Sequence, residues 1–238
     1  MRQRGRCTTA LLAASAALLS TAAPAGAAPS ATSLLQSAMA AAAQQHSVTI
    51  VVTSSYGPSH STSTYRAGLT QGSVVEHTIT GNAELRQVGA SAYLNADAAF
   101  LQSHFGTGAE LAGDWISMPT RGKTFSQLNE GAPLTLSAQL ASTPPSGTLM
   151  LVTKSSFGGR AAMAIVGSAN PLQHLPFPVT ATLFVSTSAP HLPLGERFTG
   201  TYRHLELVGT AVFTGWGAKV SIVAPKAAIA VARTPLPH

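Results

Sequence analysis

The chain has 238 residues, of which 45% are hydrophobic and only 9% are charged, with 14 Lys and Arg against 8 Asp and Glu. This length suits one domain with a sizeable core. The basic residues are scattered and have no aromatic side chains between them, which argues against a nucleic-acid partner.

The first 27 residues are typical of a secretory signal peptide. Three arginines precede an Ala/Leu-rich run at residues 9–21, and Ala25-Gly26-Ala27 provides a cleavage site before Ala28. An uncleaved N-terminal anchor is the alternative. The only cysteine, Cys7, precedes the apolar run, whereas a lipoprotein signal has its cysteine after it. Cleavage would leave 211 residues without cysteine, and 11 Lys and Arg against 8 acidic residues, a net charge of +3.

The first part of the mature chain predicts one helix followed by short strands. Residues 32–45 have apolar side chains at helical spacing, with Thr32 or Ser33 as the N-cap. Residues 47–55 alternate between two faces, as a half-buried strand does. A turn at 56–59 and Gly-containing breaks separate the strands predicted at 63–69, 73–80 and 83–88, a spacing typical of an antiparallel meander.

The stretch at residues 89–119 is central to the prediction. It predicts a strand at 91–95, a helix that begins after Asp97, a Gly-rich break at Gly106 and Gly108, and a second strand at 114–118. The apolar face of this helix is formed by Phe100, Leu101 and Phe105. An apolar helix between runs of strand predicts a sheet folded around helices.

The rest of the chain predicts two short helices, at 123–128 and 133–141, and further strands of the same sheet. We expect strands at 148–154, 160–166, 180–186, 195–201, 202–208, 210–213 and 219–223, the last two flanking a tight hairpin or bulge at Trp216. A proline-rich connection is expected at 170–178. The alanine-rich segment 226–238 is predicted to be a flexible C-terminal tail.

The residues that usually carry catalysis do not form a recognisable motif. The carboxylates are unpaired, the eight histidines form neither HxH nor HExxH, and the sequence contains no GxSxG, GxGxxG or P-loop. Asp97 is interpreted as a helix cap. Distant histidines that meet in space, or a pocket that joins His104 to Ser103 or Asp114, are the alternatives. We therefore predict no enzyme, no cofactor and no metal site.

Several phrases resemble the LppX/LprAFG lipoprotein family of actinobacterial envelopes, in order and spacing over residues 93–225. The matching phrases are Ala92-Tyr93-Leu94-Asn95, Phe100-Leu101, Gly113-Asp114-Trp115-Ile116-Ser117-Met118-Pro119, Thr182-Leu183-Phe184-Val185, Leu192-Pro193, Val212-Phe213-Thr214-Gly215-Trp216-Gly217, Val220 and Ala224-Pro225.

This resemblance implies an α+β fold, a strongly curved antiparallel half-barrel sheet wrapped around a few helices, as in LolA carriers. It implies one domain over residues 28–225 and non-covalent binding of acyl chains or acylated lipids between sheet and helices. The sequence departs from the family at Pro24-Ala25-Gly26-Ala27-Ala28, where a lipobox cysteine would be expected. A released protein is therefore predicted, rather than one tethered by lipid.

The leading hypothesis is a secreted, non-enzymatic carrier for lipid, glycolipid or another hydrophobic small molecule. It is expected to be a monomer that contacts a membrane surface or an envelope protein. The alternative is an envelope interaction module whose core is filled by its own side chains. The candidate lining residues are Val48, Ile50, Val52, Tyr93, Phe100, Leu101, Phe105, Trp115, Leu183 and Val185. The strand residues among them line the cavity only if they lie on the inner face of their strand.

Overall fold

The computed structural model describes residues 30–129, 134–169 and 177–237. The predicted signal peptide, most of the predicted proline-rich connection and His238 lie outside them. The described helices are α1 (Ala31–Ala43), α2 (Ala98–Phe105), α3 (Lys123–Asn129) and α4 (Leu136–Ser142). None of these helices is long and apolar enough to cross a membrane.

Twelve strands within the described residues form one sheet. The first six are β1 (Val48–Tyr56), β2 (Ser59–Ala67), β3 (Gln71–Thr78), β4 (Gly81–Val88), β5 (Ser91–Ala96) and β6 (Ile116–Pro119). The others are β7 (Ser146–Phe157), β8 (Arg160–Ser168), β9 (Val179–Ser186), β10 (Pro193–Tyr202), β11 (Leu205–Thr214) and β12 (Ile229–Ala230).

The strand order is β12-β6-β5-β4-β3-β2-β1-β11-β10-β9-β8-β7, so β12 and β7 are the two edges of an unclosed sheet. All neighbouring strands are antiparallel except β12 and β6. Two meanders, β1–β6 and β7–β11, join where β1 pairs with β11. The predicted α+β half-barrel is therefore confirmed.

The helices pack on one face of the sheet, here called the inner face, and form two apolar clusters with it. In the first, α2 and α3 contribute Phe100, Leu101 and Phe125, which pack on inner-face residues of β3–β6 such as Leu94. In the second, α1 and α4 pack on inner-face residues of β1, β8, β9 and β11. Tyr65 on β2 contacts both clusters.

The start of α2 is fixed by a side-chain cap, as predicted. The Phe100 backbone N–H donates to Asp97 Oδ1 at 2.8 Å, and the backbone N–H of Asn82 donates to Asp97 Oδ2 at 2.9 Å. A Cβ at Gly81 would collide with the Phe100 backbone. The helix ends at Gly106, whose left-handed φ of 68° suits glycine.

The final hairpin differs from the prediction. Strands β10 and β11 turn at Arg203 and His204, with φ values of 49° and 66°, and β11 runs on to Thr214. Residues 219–223 form no strand, so the predicted hairpin around Trp216 is wrong. That segment is held by the Gln71 side chain, which donates to the Val220 carbonyl at 2.7 Å and accepts from the Ile222 N–H at 3.3 Å.

The C-terminal segment also differs from the predicted flexible tail. Ile229 and Ala230 pair in parallel with Ile116 and Ser117 of β6. Leu236 is 1% exposed and packs in the first apolar cluster. Strand pairing and buried apolar contacts hold this segment against the sheet. Its Ala-rich composition does not indicate this docking.

Candidate functional site

One register row of the sheet carries two carboxyl groups on the inner face, and we call it the glutamate row. Its members face one another across ten successive strands: Leu151, Ile165, Leu183, Glu196, Ala211, Val52, Ser63, Glu76, Ala83 and Ala96. The next row, displaced towards Val48 on β1, is apolar apart from the Tyr65 hydroxyl. It consists of Phe213, Ile50, Tyr65, Val74, Leu85, Leu94 and Ile116. The inner face is therefore apolar on the Val48 side of the glutamate row and carries carboxyl groups in the row itself.

Exposure of the inner face increases along β1. Val48 and Ile50 are 0% and 5% exposed, whereas Val52, Ser54 and Tyr56, on the same face, are only half-buried. Successive residues on one face of a strand lie about 6.6 Å apart. On β1 and its neighbours, α1 and α4 therefore cover the Val48 end of the inner face, the covered end, and leave the Tyr56 end, the open end, partly accessible. On β4, by contrast, α2 lies over Gly81, which is in register with Ser54.

Aromatic side chains line the open end, and we call them the aromatic group: Tyr56, Phe177, Phe198 and Tyr202. The Phe198 ring lies over Gly209, where any Cβ would collide with it. Phe177 stacks on Tyr202 with ring centroids 5.1 Å apart, and on Tyr56 at 6.5 Å. All four are half-buried, so they present aromatic surface to the concave side of the sheet.

Glu196 is the most unusual polar group of the glutamate row. It is 4% exposed, and its Oε1 has no hydrogen-bond partner in the structure. Burial raises the pKa of its carboxyl from 4.5 to about 8, because the charged form is poorly solvated there. Its neighbours in the row are the apolar side chains of Leu183 and Ala211.

Glu76, on β3, is the second carboxyl of the row. Burial raises its pKa, an effect that the nearby His104 imidazole partly opposes. Burial and the proximity of Glu76 together raise the pKa of Tyr65 to about 12. Both acidic side chains of the row are therefore held in surroundings that disfavour negative charge.

The inner face around Glu76 is almost filled. A cavity of about 10 Å³ lies between α2, α3 and the sheet, lined by Val74, Glu76, Ala83, Leu85, Leu94, Phe100 and Leu128. A volume of this size holds at most one water molecule. In this part of the half-barrel, the protein's own side chains form the core.

The structure divides the residues predicted to line a cavity into three groups. Val48, Ile50, Val52, Leu183 and Val185 pack together in the second cluster. Phe100, Leu101 and Phe105 pack together in the first cluster.

Tyr93 and Trp115 lie apart from both of these groups. Tyr93 alternates with the buried Ala92 and Leu94, so its side chain is on the outer face. Trp115 lies beneath the Arg86 guanidinium, which is 4.4 Å from the ring centroid.

Sequence reasoning missed Glu196 and the aromatic group. The available signal is the alternation of Glu196 and Phe198 with Arg197 and Thr199 along β10. A bulge at Pro193–Gly195 shifts this alternation at the start of the strand. The residues of β10 that face inward therefore cannot be predicted by continuing the pattern of the apolar residues before the bulge.

Of the residues named in the catalytic alternatives, Ser103 and His104 are in contact, with Ser103 Oγ 3.0 Å from His104 Nδ1, and Asp114 lies on a different segment. Ser103 and His104 are exposed on α2, where Ser103 Oγ donates to the Phe100 carbonyl at 3.0 Å and the His104 ring stacks on Phe100 at 3.8 Å. Asp114 is exposed in the loop before β6. In the described ranges, no three His, Cys, Asp or Glu side chains come together to hold a metal ion.

Two solved structures resemble this chain. Mycobacterium tuberculosis lipoprotein LppX matches 81% of this chain and 99% of its own, with 13% identity and a TM-score of 0.50. LprF from Mycobacterium bovis matches 82% of this chain and 96% of its own, with 16% identity and a TM-score of 0.49. No protein-family model and no curated protein matches the sequence. The half-barrel fold is thus the fold of LppX.

Proposed function

We propose that this protein is a secreted, non-enzymatic carrier that binds the apolar chain of a lipid or similar amphiphile at the open end of the inner face. The observation that carries the proposal is the gradient along β1, from fully buried Val48 to half-buried Tyr56 beside the aromatic group. An inner face that its own helices leave partly uncovered offers apolar surface that a ligand chain can bury.

The binding region follows from the packing. Among the described residues on the α2 side, the inner face is packed around a cavity of about 10 Å³, so the proposed site lies on β1, β10 and β11. Val52 and the aromatic group would contact the chain. Each buried methylene contributes about 0.8 kcal/mol, so several methylenes in contact with this surface give useful affinity.

The proposal of secretion rests on the signal-like residues 1–27. The fold shared with LppX, which is described as a lipoprotein, supports a place in the cell envelope. Release from the membrane, rather than lipid attachment, follows from the absence of a cysteine after the apolar run.

The experiment compares two phenylalanine substitutions on adjacent residues of β1. Ser54 faces inward at the open end, where its Oγ lies 2.7 Å from Ser61 Oγ, and Thr53 faces outward. We expect Ser54→Phe to weaken binding of a fluorescent fatty acid about tenfold, because a phenyl group displaces the equivalent of two chain methylenes. Thr53→Phe adds the same group to the outer face and should leave the affinity unchanged.

Two results would overturn the proposal. One is a wild-type protein that takes up no fluorescent fatty acid and carries no lipid when purified from its own host and weighed by native mass spectrometry. The other is equal weakening by both substitutions, with unchanged circular dichroism, which would place binding elsewhere on the molecule.

A further inference from the structure

The distribution of charge between the two faces of the sheet is strongly asymmetric. Every Lys and Arg among the described residues is exposed except Arg86, which is half-buried on the outer face against Trp115 and Glu84. The glutamate row, in contrast, places Glu196 and Glu76 on the inner face. A chain with an excess of basic residues therefore has a concave face whose only charged row is acidic, within the part that the structure describes.

Among the residues that the structure describes, Glu196 Oε1 has none of the partners that buried carboxyls normally have. Buried polar side chains are almost always hydrogen-bonded, and leaving one unpaired is costly. The elements that contact β10 do not supply a charged partner: α1 has no ionisable residue, β9 has none, and Glu206 on β11 is exposed on the outer face. Within the described residues the carboxyl is therefore uncompensated, and it lies on the inner face of the sheet, two strands from the half-buried Val52.

We propose that Glu196 binds the cationic head of the ligand, and that the ligand class is a long-chain amine or another amphiphile with an ammonium group. This inference rests on the proposed function and names the ligand chemistry of the same site. The apolar chain would lie along Val52 and the aromatic group, and the ammonium would donate to the free Oε1.

A positively charged ligand would give the buried carboxyl a partner. An uncharged chain would gain nothing from Glu196 and would leave Oε1 unpaired in the complex. An ammonium group supplies both a hydrogen-bond donor and a compensating charge, and such charge-assisted bonds are roughly twice as strong as neutral ones. In an apolar setting with little water, the pair is also poorly screened.

The test uses two probes with the same chain, dodecylamine and 1-dodecanol, titrated into the full mature protein. We expect the wild type to bind dodecylamine about tenfold more tightly than dodecanol, the range expected for one hydrogen bond to a charged group. Glu196→Gln keeps the size of the side chain but cannot carry charge, so it should remove this preference while dodecanol affinity stays within about twofold.

Glu206→Gln is the matched control, because it removes one carboxylate from the outer face of the neighbouring strand and should keep the preference for the amine. Calorimetry in buffers of different ionisation enthalpy gives a second readout. The proton held by Glu196 at neutral pH should pass to the buffer when the ammonium binds, and this release should be absent in Glu196→Gln.

Each outcome has a defined meaning. Equal affinity of the wild type for the two probes, or a preference that survives Glu196→Gln, overturns the assignment of Glu196 while leaving the carrier function standing. Binding of neither probe overturns the proposed function itself. A preference lost equally in Glu206→Gln would show a general charge effect and would also overturn the assignment.

Discussion

Glu196 makes the stability of the protein depend on pH in a specific direction. Its pKa is about 8 in the folded state and near 4.5 when exposed. Between these values the folded state keeps a proton that the unfolded state has lost, so the free energy of unfolding decreases as the pH rises through this window. This behaviour is opposite to that of Asp97, whose pKa is lowered chiefly by the N–H of Phe100.

We predict that Glu196→Leu flattens this dependence and stabilises the protein. The urea midpoint of the wild type should fall between pH 5 and pH 8, whereas that of Glu196→Leu should fall less. At pH 8 the variant should be more stable by on the order of 2 kcal/mol, because an unpaired buried polar group is replaced by an apolar one. An unchanged difference between the two proteins at pH 5 and pH 8 would contradict the burial of this carboxyl.

The residue scale also shows what the sequence could predict about the site. The alternation of β1 correctly pairs Val48 and Ile50 on one face, because apolar periodicity reports burial directly. The apolar character of Tyr93 and Trp115 predicts that they line the cavity. Aromatic side chains also pack well on outer faces, however, beneath long cationic side chains such as Arg86. Glu196 could not be predicted, since a glutamate in a strand normally indicates a solvent-exposed face.

At the scale of elements, the predicted cap of α2 is confirmed, whereas the cap predicted for α1 at Thr32 or Ser33 is wrong: Ser30 caps this helix and accepts from the Ser33 N–H. Asp97 caps α2 as predicted, because a short acceptor before an apolar helix satisfies free N–H groups. The turn at Arg203 and His204 was missed because left-handed residues in two-residue turns are usually Asn or Gly. The sequence of residues 219–223 predicts a strand, but two side chains, Gln71 and Arg86, supply backbone hydrogen bonds to this segment.

The docked C-terminal segment should contribute measurably to stability. We predict that Leu236→Ala lowers the free energy of unfolding by about 3 kcal/mol, since Leu236 is 1% exposed and its loss leaves a cavity between β6 and α3. Val223→Ala is the control, because Val223 is 68% exposed and should change stability by less than about 0.5 kcal/mol. Equal urea midpoints for both variants would mean that the segment does not dock.

At the scale of the whole molecule, an unclosed sheet has two edges, and they are protected differently. The β12 edge consists of two residues, whereas β7 has twelve and exposes Met150 and Val152, which are 61% and 40% exposed. Two features of β7 oppose pairing with another chain. Its register with β8 is irregular on both sides of residues 150–152, and Lys154 carries an exposed charge.

Removing the charge from this edge should promote self-association. We predict that Lys154→Val produces concentration-dependent oligomers in multi-angle light scattering at concentrations where the wild type is monomeric. Lys219→Val removes the same charge from a segment outside the strands and should leave the mass unchanged. Identical profiles for the two variants would indicate that the irregular register alone protects the edge.

The join between β1 and β11 has a consequence for how the protein is made. Thr49 lies opposite Thr214, and Val52 opposite Ala211, so the concave surface is assembled from residues near both ends of the chain. Each meander can form from local hairpins. Pairing of β1 with β11 joins distant parts of the sequence, so it costs a large loop-closure entropy before the new contacts stabilise it. The concave surface therefore cannot be completed until β11 has been synthesised, and a chain that ends before β11 lacks part of it.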